Sequence, residues 1–157
     1  MDSAKTESTP LKGHVRIELL DENGAVKEVQ EFDNTFTTAG DVHVADRLAA
    51  SPAQNAMGWM SVGTGTAAFS KGSTTLNTEL DRNALDGGYP VTGSGGDAND
   101  VIYKASWAAG DGTGAITEAG IFNAASNGTM LAASTFSVIN KGASDTLTIT
   151  WTVTCGG

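Results

Sequence analysis

Residues 145–155 read Asp-Thr-Leu-Thr-Ile-Thr-Trp-Thr-Val-Thr-Cys, threonine alternating with larger apolar side chains at almost every step. In an extended chain successive side chains project to opposite faces. Leu147, Ile149, Trp151 and Val153 therefore share one face, and Thr146, Thr148, Thr150, Thr152 and Thr154 share the other. β-Branched residues on both faces suit a sheet with a buried inner side and an outer side that is wet or meets another protein. Nothing of catalytic character accompanies the run, so the chain reads as a structural module.

The same period of two recurs upstream. Val15, Ile17 and Leu19 share one face of His14–Leu20, and Asn23-Gly24 supplies the turn into residues 25–32, since both residues tolerate positive φ. The returning segment places Val26 and Phe32 on one parity and Val29 on the other, a mismatch that a β-bulge resolves. A helix is predicted over Ala39–Ala50, with Val42, Ala45, Leu48 and Ala49 on its apolar face, Thr38 or Asp41 as cap, and Ser51-Pro52 as stop. His43 then falls on its polar side. A short strand covers residues 58–62, and residues 67–86 show little periodicity, which suggests a long functional loop. Strands over 100–107, 115–123, 129–138 and 145–155, separated by Gly-rich turns, predict a C-terminal meander of about four antiparallel strands, with the N-terminal hairpin as a second layer.

The expected fold class is thus mainly β: an antiparallel β-sandwich or barrel-like module with one short helix. Residues 1–12 are polar, contain Pro10 and have no period, so they are expected to form an extended N-terminal arm before a single β-rich domain at residues 13–157. At 157 residues such a chain buries roughly 70% of its unfolded surface. With aromatics at only 6% the core is light, which favours oligomerisation or docking on a partner.

A formal charge of −9, from 18 acidic and 9 basic residues, argues against nucleic acid as a partner, because phosphate binding needs a cationic surface. No apolar run approaches the roughly 20 residues of a membrane span, and the N-terminal stretch lacks a signal-peptide core, so a soluble, non-exported protein is expected. The lone Cys155 excludes an intrachain disulfide and is expected to be a small, buried or half-buried residue.

Candidate chemistry is sparse. Gly63-Thr-Gly-Thr66 and Gly110-Asp-Gly-Thr-Gly114 lack the third glycine of a dinucleotide fingerprint and the Lys-Ser/Thr of a P-loop, so no cofactor is expected. Asp97 with Asp100, Asp111, and Asp21 with Glu22 lack calcium-loop spacing and are better explained as turn residues; no metal is expected. His14 and His43 have no ligand-spaced neighbours, and no Gly-x-Ser-x-Gly elbow is present. Glu79, Asp81 and Glu118 are a conceivable carboxylate set for sugar hydrolysis, though nothing in the sequence selects them. Trp107 and Trp151, with apolar parity partners, are expected in the core. Trp59 and Tyr89 are open to either core or surface.

Met60-Ser-Val-Gly-Thr-Gly-Thr66, Thr75-Leu-Asn-Thr-Glu-Leu-Asp-Arg82, Ile116-Thr-Glu-Ala-Gly-Ile-Phe-Asn123, Gly128–Phe136 and Asp145–Val153 together resemble a pattern in virion structural proteins of tailed bacteriophages, over residues 57–155. The resemblance implies an all-β, non-enzymatic module on the outside of the particle, either a head decoration (cement) protein or a tail, neck, baseplate or fibre component. No collagen-like repeat or sustained heptad supports a fibre shaft. The arm fits decoration, in which the major capsid protein is the partner on the outer capsid surface and a homotrimer is favoured. A carbohydrate-binding receptor module is the rival of another class. Within this reading Pro10, Leu11, Lys12, Trp59 and Phe69 are the expected capsid or subunit contacts. Gly120 is expected to allow close approach or a bulge, and Ile121 and Phe122, on opposite faces, require a second layer: the hairpin, the helix or a neighbouring subunit.

Overall fold

A computed structural model describes residues 11–156. In chain order the elements are β1 (Leu11–Leu20), β2 (Val26–Asp33), β3 (Thr35–Phe36), α1 (Thr38–Leu48), β4 (Trp59–Gly63), β5 (Glu79–Ala84), β6 (Val91–Thr92), β7 (Asp100–Trp107), β8 (Gly114–Phe122), β9 (Met130–Lys141) and β10 (Thr146–Cys155). They form two five-stranded antiparallel sheets, ordered β2-β1-β10-β7-β6 and β3-β9-β8-β4-β5. The fold is a β-sandwich, not a closed barrel.

The threonine-alternating segment is β10, in the middle of the first sheet between β1 and β7. Its apolar parity faces inward: Leu147, Ile149 and Trp151 have no exposed surface, while the threonines stay half-buried on the outer side. Register carries the same parity into the neighbours, with Val15 opposite Trp151 and Ile17 opposite Ile149 on β1, and Trp107 opposite Leu147 on β7. Across the interlayer space Met60, Val62, Ala119, Ile121, Leu131 and Ile139 complete the core. Trp107 and Trp151 are both fully buried, as their parity predicts.

The expected four-strand meander does not form. β8 and β9 pair in the second sheet, whereas β7 and β10 pair in the first, beside the N-terminal hairpin. The chain therefore changes layer at residues 108–113 and again at 142–145. Alternation shows which face of a strand is buried, but not which strand lies beside it. The hairpin does carry the bulge: Leu19 pairs with Glu28 and Leu20 with Val26, leaving Lys27 as the extra residue. Three short pieces of regular structure lacked a sequence signal, namely β3, β6 and a single 3₁₀ turn at Gly95–Asp97. β1 also starts earlier than the alternation suggested, so Leu11 and Lys12 lie within a strand.

The helix forms, but its buried face is not the expected one. Thr37 is the cap, its Oγ1 accepting from the Gly40 amide at 2.8 Å and donating to the Met130 carbonyl at 2.6 Å. That double tether sets the rotation of α1, so Gly40 and His43 face inward while Val42 and Leu48 are 57% and 82% exposed. His43 thus moves from the expected polar side to a buried position, with Nδ1 2.9 Å from Gln54 Oε1. Gly40 is needed because a Cβ there would collide with the Leu131 carbonyl oxygen. Alanine favours helix over glycine by about 1 kcal/mol, yet Gly40→Ala is expected to lower the thermal midpoint because the collision is with backbone. A higher midpoint in a melting curve would show that α1 is free to shift.

Candidate functional site

The stretch expected to be a loop over residues 67–86 ends in a strand, β5, whose burial does not alternate and which pairs with β4 through its backbone. The remaining segment, residues 64–78, folds back over the outer face of the second sheet. Glu118 of β8 anchors it. This residue is fully buried, and its carboxylate accepts four hydrogen bonds from the segment. Oε2 takes the amides of Gly65 (3.0 Å) and Thr78 (2.7 Å), and Oε1 takes the amide (2.9 Å) and side-chain nitrogen (3.1 Å) of Asn77. Thr117 Oγ1 adds a bond to the Gly65 carbonyl at 2.7 Å. A Cβ on Gly65 would stand 2.8 and 2.9 Å from the two carboxylate oxygens, so glycine there lets backbone reach the anion. Bonds to a charged acceptor contribute about 1.5–3 kcal/mol each, which offsets the desolvation of the carboxylate.

An apolar cluster forms the second anchor. Leu76 of the segment packs on Phe122, Met130 and Ala133, with Trp59 and Phe69 partly buried against them. Two of the candidate contact residues, Trp59 and Phe69, are thus brought together on one face. Gly120 sits beneath, where a Cβ would lie 3.1 Å from Leu76, 3.2 Å from the Met130 sulfur and 3.2 Å from Phe122. The two faces are covered by different parts of the chain: Ile121 packs in the interlayer core with Val15, Ile17 and Leu19 of the hairpin, and Phe122 is covered by this segment. Its far side reaches α1, where the Thr38 amide donates to the Lys71 carbonyl at 2.7 Å and Lys71 pairs with Asp41.

Arg82 of β5 closes the arrangement. Its side chain is 7% exposed and forks onto Glu79 at 2.8 and 2.9 Å. It also donates to the Ala124 and Asn127 carbonyls, both at 2.9 Å, and its guanidinium lies 3.7 Å above the Phe122 ring. Glu79 accepts from Ser61 Oγ at 2.6 Å as well. The Arg82 fork, with Ser61 assisting, holds the Glu79 carboxyl below its ordinary value of 4.5. A depressed native value means stability that is fully present above that ordinary value and lost as pH falls through the lower native one. Glu79→Gln is therefore expected to weaken the domain near neutrality and to converge with the parent protein in acid, as read from urea midpoints between about pH 7 and pH 3.

Four of the five segments that carry the phage resemblance meet on this face: residues 60–66, 75–82, 116–123 and 128–136 supply β4, the covering segment with β5, β8 and β9. The fifth is β10, in the opposite sheet. Of the three carboxylates considered for sugar hydrolysis, Glu118 is engaged by the covering segment and Glu79 by Arg82, while the Asp81 carboxylate has no hydrogen-bond or ion-pair partner among the described residues and only its backbone carbonyl accepts, from Ser61. Among the described residues no group of three or more His, Cys, Asp or Glu is placed to hold a metal ion.

The other candidate contacts lie elsewhere. Lys12 is on the outer face of the first sheet, in a column with His14 and Arg16. Both of those pair with Glu31, at 2.8 and 3.3 Å. Leu11 has the inward parity and sits at the end of the sandwich, and Pro10 lies outside the described residues. The five candidates do not form one patch. Cys155, expected to be buried or half-buried, is exposed, because the interlayer space is open where β10 ends.

The anchoring role of Glu118 was missed, although a charge flanked by Ile116, Ala119 and Ile121 in a strand was a signal for it. A comparison of the chain with protein-family models, with curated proteins and with solved structures finds no match in any of the three.

Proposed function

We propose that this chain is a non-enzymatic structural protein of a tailed-phage virion that decorates the outer capsid surface and stabilises the head. The observation that carries the reading is the convergence on Glu118. The residues on which the resemblance to virion proteins rests hold a surface segment of 15 residues (64–78) against a sheet. A protein that clamps a lattice needs a preorganised contact surface, because ordering a loop at the moment of binding costs affinity. The covering segment, with Phe69 and Trp59 at its apolar base, is that surface here. Binding only to the assembled lattice stabilises it by linkage.

Particles lacking the protein are expected to assemble, yet release DNA at lower temperature, and added protein is expected to restore resistance without nucleotide, metal or turnover. Its copy number in purified particles should be in the hundreds. Depleted particles that are equally heat-resistant but fail to adsorb to cells would overturn the decoration reading and favour a tail or receptor-binding role.

A further inference from the structure

Where β1 begins and β10 ends, the space between the layers is not filled. A cleft of about 230 Å³ opens there between Val101, Tyr103 and Val153 of the first sheet and Leu131 of the second, with α1 along its rim. It continues into a wider depression of about 390 Å³ beside Leu48 and Cys155. Six of the ten lining residues are Leu or Val, and Tyr103 and Arg47 bring to the walls the polar groups with bonding capacity to spare. The Tyr103 hydroxyl has no hydrogen-bond partner among the described residues. Arg47 uses one guanidinium nitrogen on the Gln54 carbonyl at 3.0 Å, leaving its other N–H groups available among those residues. Burial pushes the Tyr103 phenol up to about 12, so it stays a neutral donor. The only other ionisable groups on the lining are His43, tied to Gln54, and the Cys155 thiol. Arg47 is the one permanently charged group on the lining, with the Asp46 carboxylate, held by the Ala53 and Gln54 amides, beside it.

An apolar pocket with a few convergent polar groups is the usual form of a small-ligand site. We propose that the mouth of the sandwich binds a small amphiphilic monocarboxylate, its aliphatic body between the layers and its carboxylate on Arg47 and the Tyr103 hydroxyl. The volume limits the body. At about 30 Å³ for each water-sized group, the cleft takes about eight non-hydrogen atoms, and the depression beyond it takes a longer tail. This site lies apart from the Glu118 face and does not depend on the virion reading.

Octanoate and octan-1-ol distinguish the head-group contribution from the apolar one. Calorimetry on the full chain is expected to show saturable binding of one octanoate, with methyl NMR shifts confined to the lining residues Leu11, Val44, Leu48, Val101, Leu131 and Val153. Arg47→Gln should weaken octanoate by about tenfold, as loss of a charge-assisted bond does, and leave octanol unchanged. Val44→Trp should fill the cleft and abolish both. Should that variant fail to fold, Leu48→Glu, at an exposed rim position, should repel octanoate selectively. The proposal is overturned if octanoate does not bind saturably, if the shifts fall elsewhere, or if binding survives both Arg47→Gln and a folded cleft variant.

Discussion

Replacing Trp151 by alanine is expected to lower stability by about 3–5 kcal/mol, the range for truncating a buried large aromatic. The side chain has no exposed surface, lies in the central strand of its sheet, and donates Nε1–H to Asn34 Oδ1 at 2.9 Å. Alanine removes the packing and also leaves that oxygen without its donor. Single domains are stable by only about 5–15 kcal/mol, so the variant should show a steep drop in denaturant midpoint. Trp107 provides the control. It is equally buried, but its indole N–H has no partner among the described residues. Trp107→Phe should therefore cost less than Trp151→Phe, since only the latter breaks a hydrogen bond. Equal losses at the two sites would mean that the Asn34 bond contributes nothing.

Glu118→Ala is the second large effect. It deletes the acceptor for three backbone amides and the Asn77 side chain at once. An unsatisfied buried donor costs about 1–3 kcal/mol, and water entering a loosened segment relieves part of this, so a net loss on the order of 3–6 kcal/mol is expected. The loss should have a local signature. Amide exchange at Gly65, Asn77 and Thr78 should accelerate far more than exchange in β10, and protease should cut within residues 64–78 before the sandwich unfolds. Glu118→Gln should be nearly as damaging, because its NH₂ group must face at least two N–H donors. If exchange rises uniformly instead, the segment is held by Leu76 and its apolar neighbours rather than by the carboxylate.

The sandwich was legible because its principal strands alternate. Val15-Ile17-Leu19, Val101–Trp107 and Leu147–Val153 each announce a buried face, and Asn23-Gly24 announces the hairpin between β1 and β2. The layer assignment was not legible, because adjacency is decided by pairing between strands far apart in sequence. β5 escaped because its ladder uses backbone groups and its side chains do not alternate. The rotation of α1 escaped for a related reason: apolar periodicity selected Val42 and Leu48, but the tether from Thr37 to Met130 and the tight seat of Gly40 against Leu131 outweigh the burial of two aliphatic side chains. At the candidate site Trp59 and Phe69 were legible as notable apolar residues. The carboxylate that organises them was not, since the three residues that donate to it lie 40 to 53 positions away.

The place of β10 has a consequence for biosynthesis. Every strand of the second sheet has been made once Lys141 is added, so that layer is able to pair while the chain is still being extended. The first sheet is different, because β10 joins the β1–β2 hairpin to β7 and is the last strand of the sandwich to be translated. Until residues 146–155 leave the ribosome, the hairpin and β7 have no common neighbour and their apolar faces lack the strand that unites them. Closure of the sandwich is therefore a late, long-range step, and a chain stalled before Thr146 would expose the inner surfaces that chaperones and proteases recognise.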